Sequence, residues 1–469
     1  MKYISTRGAA PALTFSQTVM TGLARDGGLY LPEFFPSFTP AQLRALRGRS
    51  YADIAKTILW PFAEGDIEQD AFYKIIDEAY QTFRHPATCP LVQTRHNEFI
   101  LELFHGPTLA FKDVAMQFLS RLMDYILQKE ARRATIIGAT SGDTGGAAIE
   151  AFAGRSCADI FILFPKGRVS KVQQRQMTSN HSTNVHALAI EGNFDDCQAL
   201  VKALFNDHSF RDHMAISGVN SINWARIMAQ IVYYVSAALS LGAPDRAVSF
   251  TVPTGNFGDI FAGFVASKMG LPIARLVIAT NDNDILARTL ESGIYETRAM
   301  VYTTSPSMDI QLSSNFERLL FEASGRDWAF VCEKMLELQT NGCFCLGAEQ
   351  LSTIRGLFAA GRSTMEETAH LTRILYKESG YLADPHTAVA VKVARAQQEE
   401  DVPMVILSTA HPAKFPEAVQ SATGLYPDLP PGFEGLFQHE EKYTILANDE
   451  KALKNFIMAK VCLETNQKG

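Results

Sequence analysis

A chain of 469 residues, 47% hydrophobic and 20% charged, has the composition of a globular protein and is too long for one ordinary core, so two or three domains are expected. Its 43 basic side chains against 50 acidic ones, a net charge of -7, leave no electrostatic footprint for nucleic acid or an anionic membrane surface. An anionic small molecule has to be caught by a local basic site.

Residues 1–95 read as an N-terminal accessory domain. Asp26-Gly27-Gly28 marks a turn before an apolar strand at Leu29 to Leu31, and helical patterns run from Pro40 to Arg47, Tyr51 to Pro61 and Asp70 to Phe83. A strand from Phe99 to Phe104 then leads into HGPTLAFKD, His105 to Asp113. Lys112 opens a segment whose apolar residues Val114, Phe118, Leu119, Leu122 and Met123 recur at helical spacing. Next, ATIIGATSGDTGGAAIEAF has the order strand, tight loop, helix. FILFP from Phe161 is another strand, and ALAIEGNFDDC from Ala187 and VSFTVPTGNFGDIFAGF from Val248 repeat the strand-to-helix change. ARLVIAT and PMVILSTAHPAKF add two strands. Strands alternating with helices predict an α/β, largely parallel architecture, with ligands at the carboxyl ends of the strands.

Seven scattered cysteines, Cys89, Cys157, Cys197, Cys332, Cys343, Cys345 and Cys462, fit a reducing compartment rather than a disulfide framework. The pair Cys343 and Cys345 lacks the second ligand pair that a zinc site needs, so no metal is expected. MKYISTRGAAPALTFSQ has no apolar secretory core, and the most apolar helix-like run, Ile227 to Leu241, is broken by Gln230 and serines. The expected location is the cytoplasm, away from any membrane.

Several loops have the residue types for chemistry. A desolvated Lys112 loses basicity and becomes a nucleophile able to form a Schiff base with an aldehyde, although a solvated charge at a helix start explains the same stretch. GATSGDTGG places Thr140, Ser141, Asp143 and Thr144 before a helix, as an anion site or as an ordinary N-cap. PTGNFGD offers Gly255, Asn256, Phe257 and Gly258 as main-chain amides for a phosphate, yet it is neither a Walker loop nor GxGxxG. In NSINWAR, Ser221, Asn223 and Arg226 stand near the start of a long apolar helix, with Arg226 as a phosphate clamp or half of a surface ion pair. The run Lys166, Arg168, Lys171, Arg175 reads as a solvated helix flank. STAHPAK delivers Ser408 and Thr409 at the end of a strand, to meet a ring nitrogen or to cap the turn beyond it.

Taken together, a candidate Schiff-base lysine, a GNFG loop, an SGDTG loop and a late-strand hydroxyl resemble the tryptophan-synthase-like, fold type II pyridoxal phosphate enzymes. YISTRG, DGGLYLP, HGPTLAFKD, GATSGDTG, FPKGRVS, PTGNFGD, DPHTAVA and STAHPAKF, in order across most of the chain, resemble the bacterial and fungal threonine synthase family. The last fifty or so residues carry no matching motif.

The resemblance implies a fold type II α/β architecture with open, largely parallel sheets. A large cofactor-binding domain is expected at 96–133 and 216–469, a small mobile one at 134–215, and the accessory domain at 1–95. It implies pyridoxal 5'-phosphate as cofactor, held by Lys112, by the amides of Gly255, Asn256, Phe257 and Gly258, by Thr409 or Ser408 at the pyridine nitrogen, and by Asp143 near the ring hydroxyl. Thr140, Ser141 and Thr144 are expected to receive the substrate's carboxylate, and Ser221, Asn223 and Arg226 its phosphate. The implied reaction is γ-elimination of phosphate from O-phospho-L-homoserine and β-addition of water to give L-threonine, with Lys112 as the base. A phospho-lyase yielding 2-oxobutyrate, or a non-catalytic ligand-binding relative, are the alternatives. The expected partner is the small-molecule substrate, with no nucleic acid or membrane, and the expected assembly is a monomer or weak homodimer.

Overall fold

The computed structural model describes residues 1–140 and 142–465, with side chains through residue 461; Ser141 lies outside the described residues. It divides into two compact units, Met1–Ala115 with Ser221–Pro427, and Met116–Asn220 with Asp428–Gly469.

The first unit is built on a six-stranded sheet. In spatial order its strands are Phe358–Arg362, Ile273–Thr280, Val248–Pro253, Met404–Ser408, Glu98–Glu102 and Leu91–Arg95. All run parallel except Leu91–Arg95, which pairs antiparallel with Glu98–Glu102. The strand predicted over Phe99–Phe104 pairs over Glu98–Glu102, and the N–H of Leu103 makes one further bond, to the Ser408 carbonyl at 3.0 Å. Side chains alternate across the sheet. Ile100, Met404, Ile406, Val277 and Ala279 share one core with Val389, Ala390, Val393 and Ala394 of helix Pro385–Gln397. On helix Trp224–Ser240, which packs against helix Gly258–Lys268, the Tyr234 ring meets Phe250 at 4.8 Å.

Local chemistry explains where these helices begin. Asp384 caps Pro385–Gln397 by accepting from the N–H groups of His386 and Thr387, and Pro385, which has no N–H to lose, stands in the first turn. Asn223 caps Trp224–Ser240 by accepting from Ala225 N at 3.0 Å. That helix is buried on nearly every side, which is why its sequence is largely apolar, with Arg226 and Gln230 as buried exceptions. At the N-terminus, Tyr3–Ser5 and Tyr30–Pro32 pair antiparallel. Asp26 holds the preceding turn by accepting from Gly28 N, Ser5 Oγ and Ala10 N. Helices Pro40–Ala45, Tyr51–Ala63 and Gln69–Tyr80 come next, as the sequence pattern predicts to within a few residues.

The second unit carries a five-stranded parallel sheet in the order Thr444–Ala447, Val185–Glu191, Ala158–Pro165, Ala134–Ala139, Ile216–Ser217. The last fifty residues therefore supply an edge strand, and helix Glu450–Thr465 sends Leu453 and Ile457 into the core that contains Leu188, Ile190, Leu200 and Leu204. Among the described residues no helix is long and apolar enough to cross a membrane.

Candidate functional site

Three segments named from the sequence leave the carboxyl ends of three neighbouring strands of the first unit. The strand registers place Ser408 opposite Glu102, and Ile406 opposite Thr251. Beyond the ladder, Ala110 and Ala410 form an antiparallel bridge, the Phe111 N–H donates to the Thr409 carbonyl at 2.8 Å, and the His411 N–H donates to the Leu109 carbonyl at 3.0 Å. The lysine loop is thus fastened beside Thr409. Asp113 closes the loop by accepting from Thr108 N at 2.8 Å and Thr108 Oγ1 at 2.6 Å, and the fully buried Lys414 donates to the Thr108 carbonyl at 2.7 Å. These bonds hold Leu109 at φ +62°, a left-handed conformation that a leucine adopts only under such constraint. Lys112 is buried at 8% exposure, with Nζ 4.7 Å from the centre of the Phe111 ring.

The loop at 255–258 leads into helix Gly258–Lys268. Phe257 sits at its N-cap with φ +64° and no side-chain capping bond. Its ring packs on Phe316 and Phe358. The carbonyl of Gly255 accepts from Ser313 Oγ at 2.6 Å, and that of Asn256 accepts from Asn315 N and Nδ2 at 3.1 and 2.9 Å. Among the described residues, the N–H groups of 255 to 258 donate to no oxygen of the chain. Gly255 has no room for a side chain, because a Cβ there would stand 2.7 Å from the Ser307 carbonyl oxygen.

One residue into the same helix, Asp259 is buried. Its Oδ1 accepts from the hydroxyls of Tyr233 and Tyr234 at 2.5 and 2.9 Å, while Oδ2 has no hydrogen bond among the described residues. Burial pushes its carboxyl up to about 6, against the opposing pull of the two tyrosines and of the Lys112 charge.

Ser408 and Thr409 have different surroundings. The Asp384 carboxylate can only accept, so the Thr387 hydroxyl donates to it, and the 2.8 Å contact between Ser408 and Thr387 must then use the proton of Ser408. The Tyr381 hydroxyl also donates to Ser408, at 3.4 Å. The Thr409 hydroxyl has no hydrogen bond among the described residues, although the residue is 6% exposed.

Of the NSINWAR residues, Asn223 is spent on structure: it caps its helix and its Nδ2 donates to the Val19 carbonyl at 2.8 Å. Arg226 is buried in the first turn of that helix, and burial lowers its guanidinium to about 10. The Ser221 carbonyl accepts from Asn315 Nδ2 at 3.3 Å, so this segment and the 255–258 loop share Asn315.

In the second unit, Thr140 Oγ1 accepts from the N–H groups of Gly142 and Gly145, each at 2.9 Å, and so shapes the GATSGDTGG loop itself. Gln173 Nε2 donates to Asp143 Oδ1 at 2.9 Å, and Thr144 is half-buried. Gly145 is obligatory here, since a Cβ would stand 2.4 Å from Thr140 Cγ2. Of the basic run, Lys166 pairs with Glu191 and Arg175 with Glu441.

In the first unit, a buried amine, a set of undonated N–H groups at a helix start and an unsatisfied hydroxyl are the donor types that an aldehyde, a phosphate and a pyridine nitrogen require. The residues present fit pyridoxal phosphate. Sequence reasoning missed the supports: Asp384 and Thr387, which stand in the DPHTAVA motif without an assigned role, and Ser313 and Asn315, which belong to no motif.

Similarity to known proteins runs along the same lines. Residues 90–332 match the family described as pyridoxal-phosphate dependent enzyme, the class this fold defines. Residues 2–80 match the threonine synthase N terminus, and residues 387–457 the threonine synthase C-terminal family. The threonine synthase of Pseudomonas aeruginosa is 50% identical over 459 residues, which cover 97% of this chain and 98% of that one. A crystal structure of a PLP-bound threonine synthase from Brucella melitensis superposes with a TM-score of 0.97 at 63% identity, covering 98% of this chain and 99% of that one. The corresponding values for threonine synthase from yeast are 0.93, 39%, 98% and 99%. The chain belongs to the threonine synthase family.

Proposed function

We propose that this chain is a threonine synthase, a pyridoxal phosphate-dependent lyase that converts O-phospho-L-homoserine and water to L-threonine and phosphate, the last step of threonine biosynthesis. The observation that carries the reading is the convergence, at the carboxyl ends of three neighbouring strands of one sheet, of buried Lys112, the Thr409 hydroxyl and the amides of 255–258. When bound, the cofactor supplies the electron sink.

Lys112 would hold the cofactor's aldehyde carbon, and its amine would take protons from the substrate's Cα and Cβ as phosphate leaves Cγ and return protons to Cγ and Cα as water adds at Cβ. The amides of Gly255, Asn256, Phe257 and Gly258 bind the cofactor's phosphate at the start of their helix, where the dipole favours an anion. Thr409 donates to the pyridine nitrogen; Ser408, whose only proton goes to Thr387, stands behind it. A hydroxyl does not favour a protonated ring, which keeps the sink mild and suits chemistry at the β and γ carbons. Arg226 and Ser221 bind the departing phosphate, with Asn223 setting the start of their helix. Thr140, Ser141 and Thr144 receive the substrate's carboxylate, and Asp143 orients the ring hydroxyl. The setting is cytoplasmic, and the working form a monomer or weak homodimer.

Incubating the purified protein and pyridoxal phosphate with O-phospho-L-homoserine, then measuring threonine and 2-oxobutyrate together, tests this reading. Threonine is the expected main product. A dominant 2-oxo acid would make the protein a phospho-lyase.

A further inference from the structure

Arg318 is fully buried, yet among the described residues its guanidinium is bonded only to neutral oxygens. Nε and Nη2 donate to the Tyr30 carbonyl at 3.1 and 2.6 Å, Nη2 also to the Ile222 carbonyl at 2.7 Å, and Nη1 to Asn315 Oδ1. The group lies 5.9 Å from the centre of the Trp224 ring. Glu317, whose charge acts on it, is already engaged by Thr6 and by a two-pronged bond from Arg7. Burial lowers the Arg318 guanidinium to about 9. A desolvated cation among neutral acceptors is costly unless an anion is held close by.

The hydrogen-bond path shows where such an anion belongs. Arg318 fixes the Asn315 carboxamide, and the amide end of Asn315 donates to the carbonyl of Asn256 at 2.9 Å. The two bonds of a planar peptide, C=O and N–H, point in opposite directions. Drawing the Asn256 carbonyl toward Asn315 therefore turns the Phe257 N–H to the other side, and the Ser313 bond to the Gly255 carbonyl does the same for the Asn256 N–H. The bonds to Tyr30 and Ile222 tie the N-terminal DGGLYLP segment and NSINWAR to the same guanidinium.

We propose that Arg318 is a positioning residue for the phosphate cradle, which sets a buried positive charge one hydrogen-bonded residue away from the 255–258 loop and, through Asn315, aims the loop's N–H groups at the cofactor's phosphate. The proposal rests on the reading that this loop binds that phosphate.

The test is to strip cofactor from the wild-type, Arg318→Met and Asn315→Asp proteins and titrate each with pyridoxal 5'-phosphate and with pyridoxal, following the lysine adduct by absorbance. The wild type is expected to prefer the phosphorylated form strongly; if it does not, the cradle reading itself fails. Arg318→Met is expected to lose affinity for pyridoxal phosphate by about ten- to a hundredfold, as when one partner of a buried charge interaction is removed, while its affinity for pyridoxal stays within about twofold. Asn315→Asp keeps the guanidinium paired but withdraws the amide from Asn256. It is expected to show the same selective loss, and it decides the question if Arg318→Met does not fold. Unchanged affinity for both ligands, or equal loss of both, overturns the proposal.

Discussion

Asp259 holds a carboxyl that burial makes reluctant to ionise, directly after the cradle in the chain and within reach of the Lys112 charge. Its folded pKa of about 6 lies above the ordinary 3.8, so between those values the folded protein holds the proton that the unfolded chain has released. Stability therefore falls as pH rises from about 4 to about 6 and is level above, a loss of about 3 kcal/mol from this group. Asp259→Asn retains an acceptor for Tyr233 and Tyr234 and removes the titration. In urea unfolding across that range the variant should gain on the wild type steadily with pH, and a constant difference would refute the assignment. At this scale the sequence showed the groups that bear chemistry but not what surrounds them. Lys112, Thr409 and the 255–258 loop stand in recognisable strings. Asp259 stands in one too, yet its pKa is set by burial and, against it, by two tyrosines from another helix, and neither burial nor pairings across about twenty-five residues leave a local pattern. Asn223 shows the reverse: its residue type and place suited a ligand, and the fold uses both ends of its amide as a cap and a tie.

The loop from His105 to Asp113 owes its shape to bonds made at both of its ends. Thr108 receives Lys414 on its carbonyl and gives its N–H and hydroxyl to Asp113, and the Ala110 bridge to Ala410 fastens the middle. Lys414→Met leaves the Thr108 carbonyl without this donor and frees Leu109 to leave its left-handed conformation. The expected cost is about 1–3 kcal/mol of unfolding free energy, together with a shifted absorbance of the bound cofactor. Wild-type stability and spectrum in this variant would show that the bridge alone fixes the loop. HPAKF was legible as a motif but not as a brace, because its lysine acts on a carbonyl some three hundred residues earlier in the chain. The central strands were easier to find: Ala158–Pro165, Val248–Pro253 and Met404–Ser408 are buried along their whole length and show as apolar runs.

At the scale of the molecule, the least legible part was the end of the chain. Thr444–Ala447 is four residues long and half-exposed, too short to register as a strand, and it gains its identity only by pairing with Val185–Glu191. Ending the chain after Pro427 removes this strand and the core residues Leu453 and Ile457. The expected result is selective proteolysis within 134–215 while the fragments containing the six-stranded sheet persist, detectable by mass spectrometry of a limited digest. Uniform resistance would show that the remaining four strands suffice.

That edge strand also fixes an order of events during synthesis. Strands Ala134–Ala139, Ala158–Pro165 and Val185–Glu191 emerge from the ribosome long before their neighbour at Thr444–Ala447, and four strands of the other sheet, Val248–Pro253, Ile273–Thr280, Phe358–Arg362 and Met404–Ser408, are made in the interval. Throughout that time the backbone groups along the open side of Val185–Glu191 offer a template to any extended peptide nearby. The nascent chain is therefore most exposed to mispairing at this edge until Thr444–Ala447 has been made and has paired with Val185–Glu191.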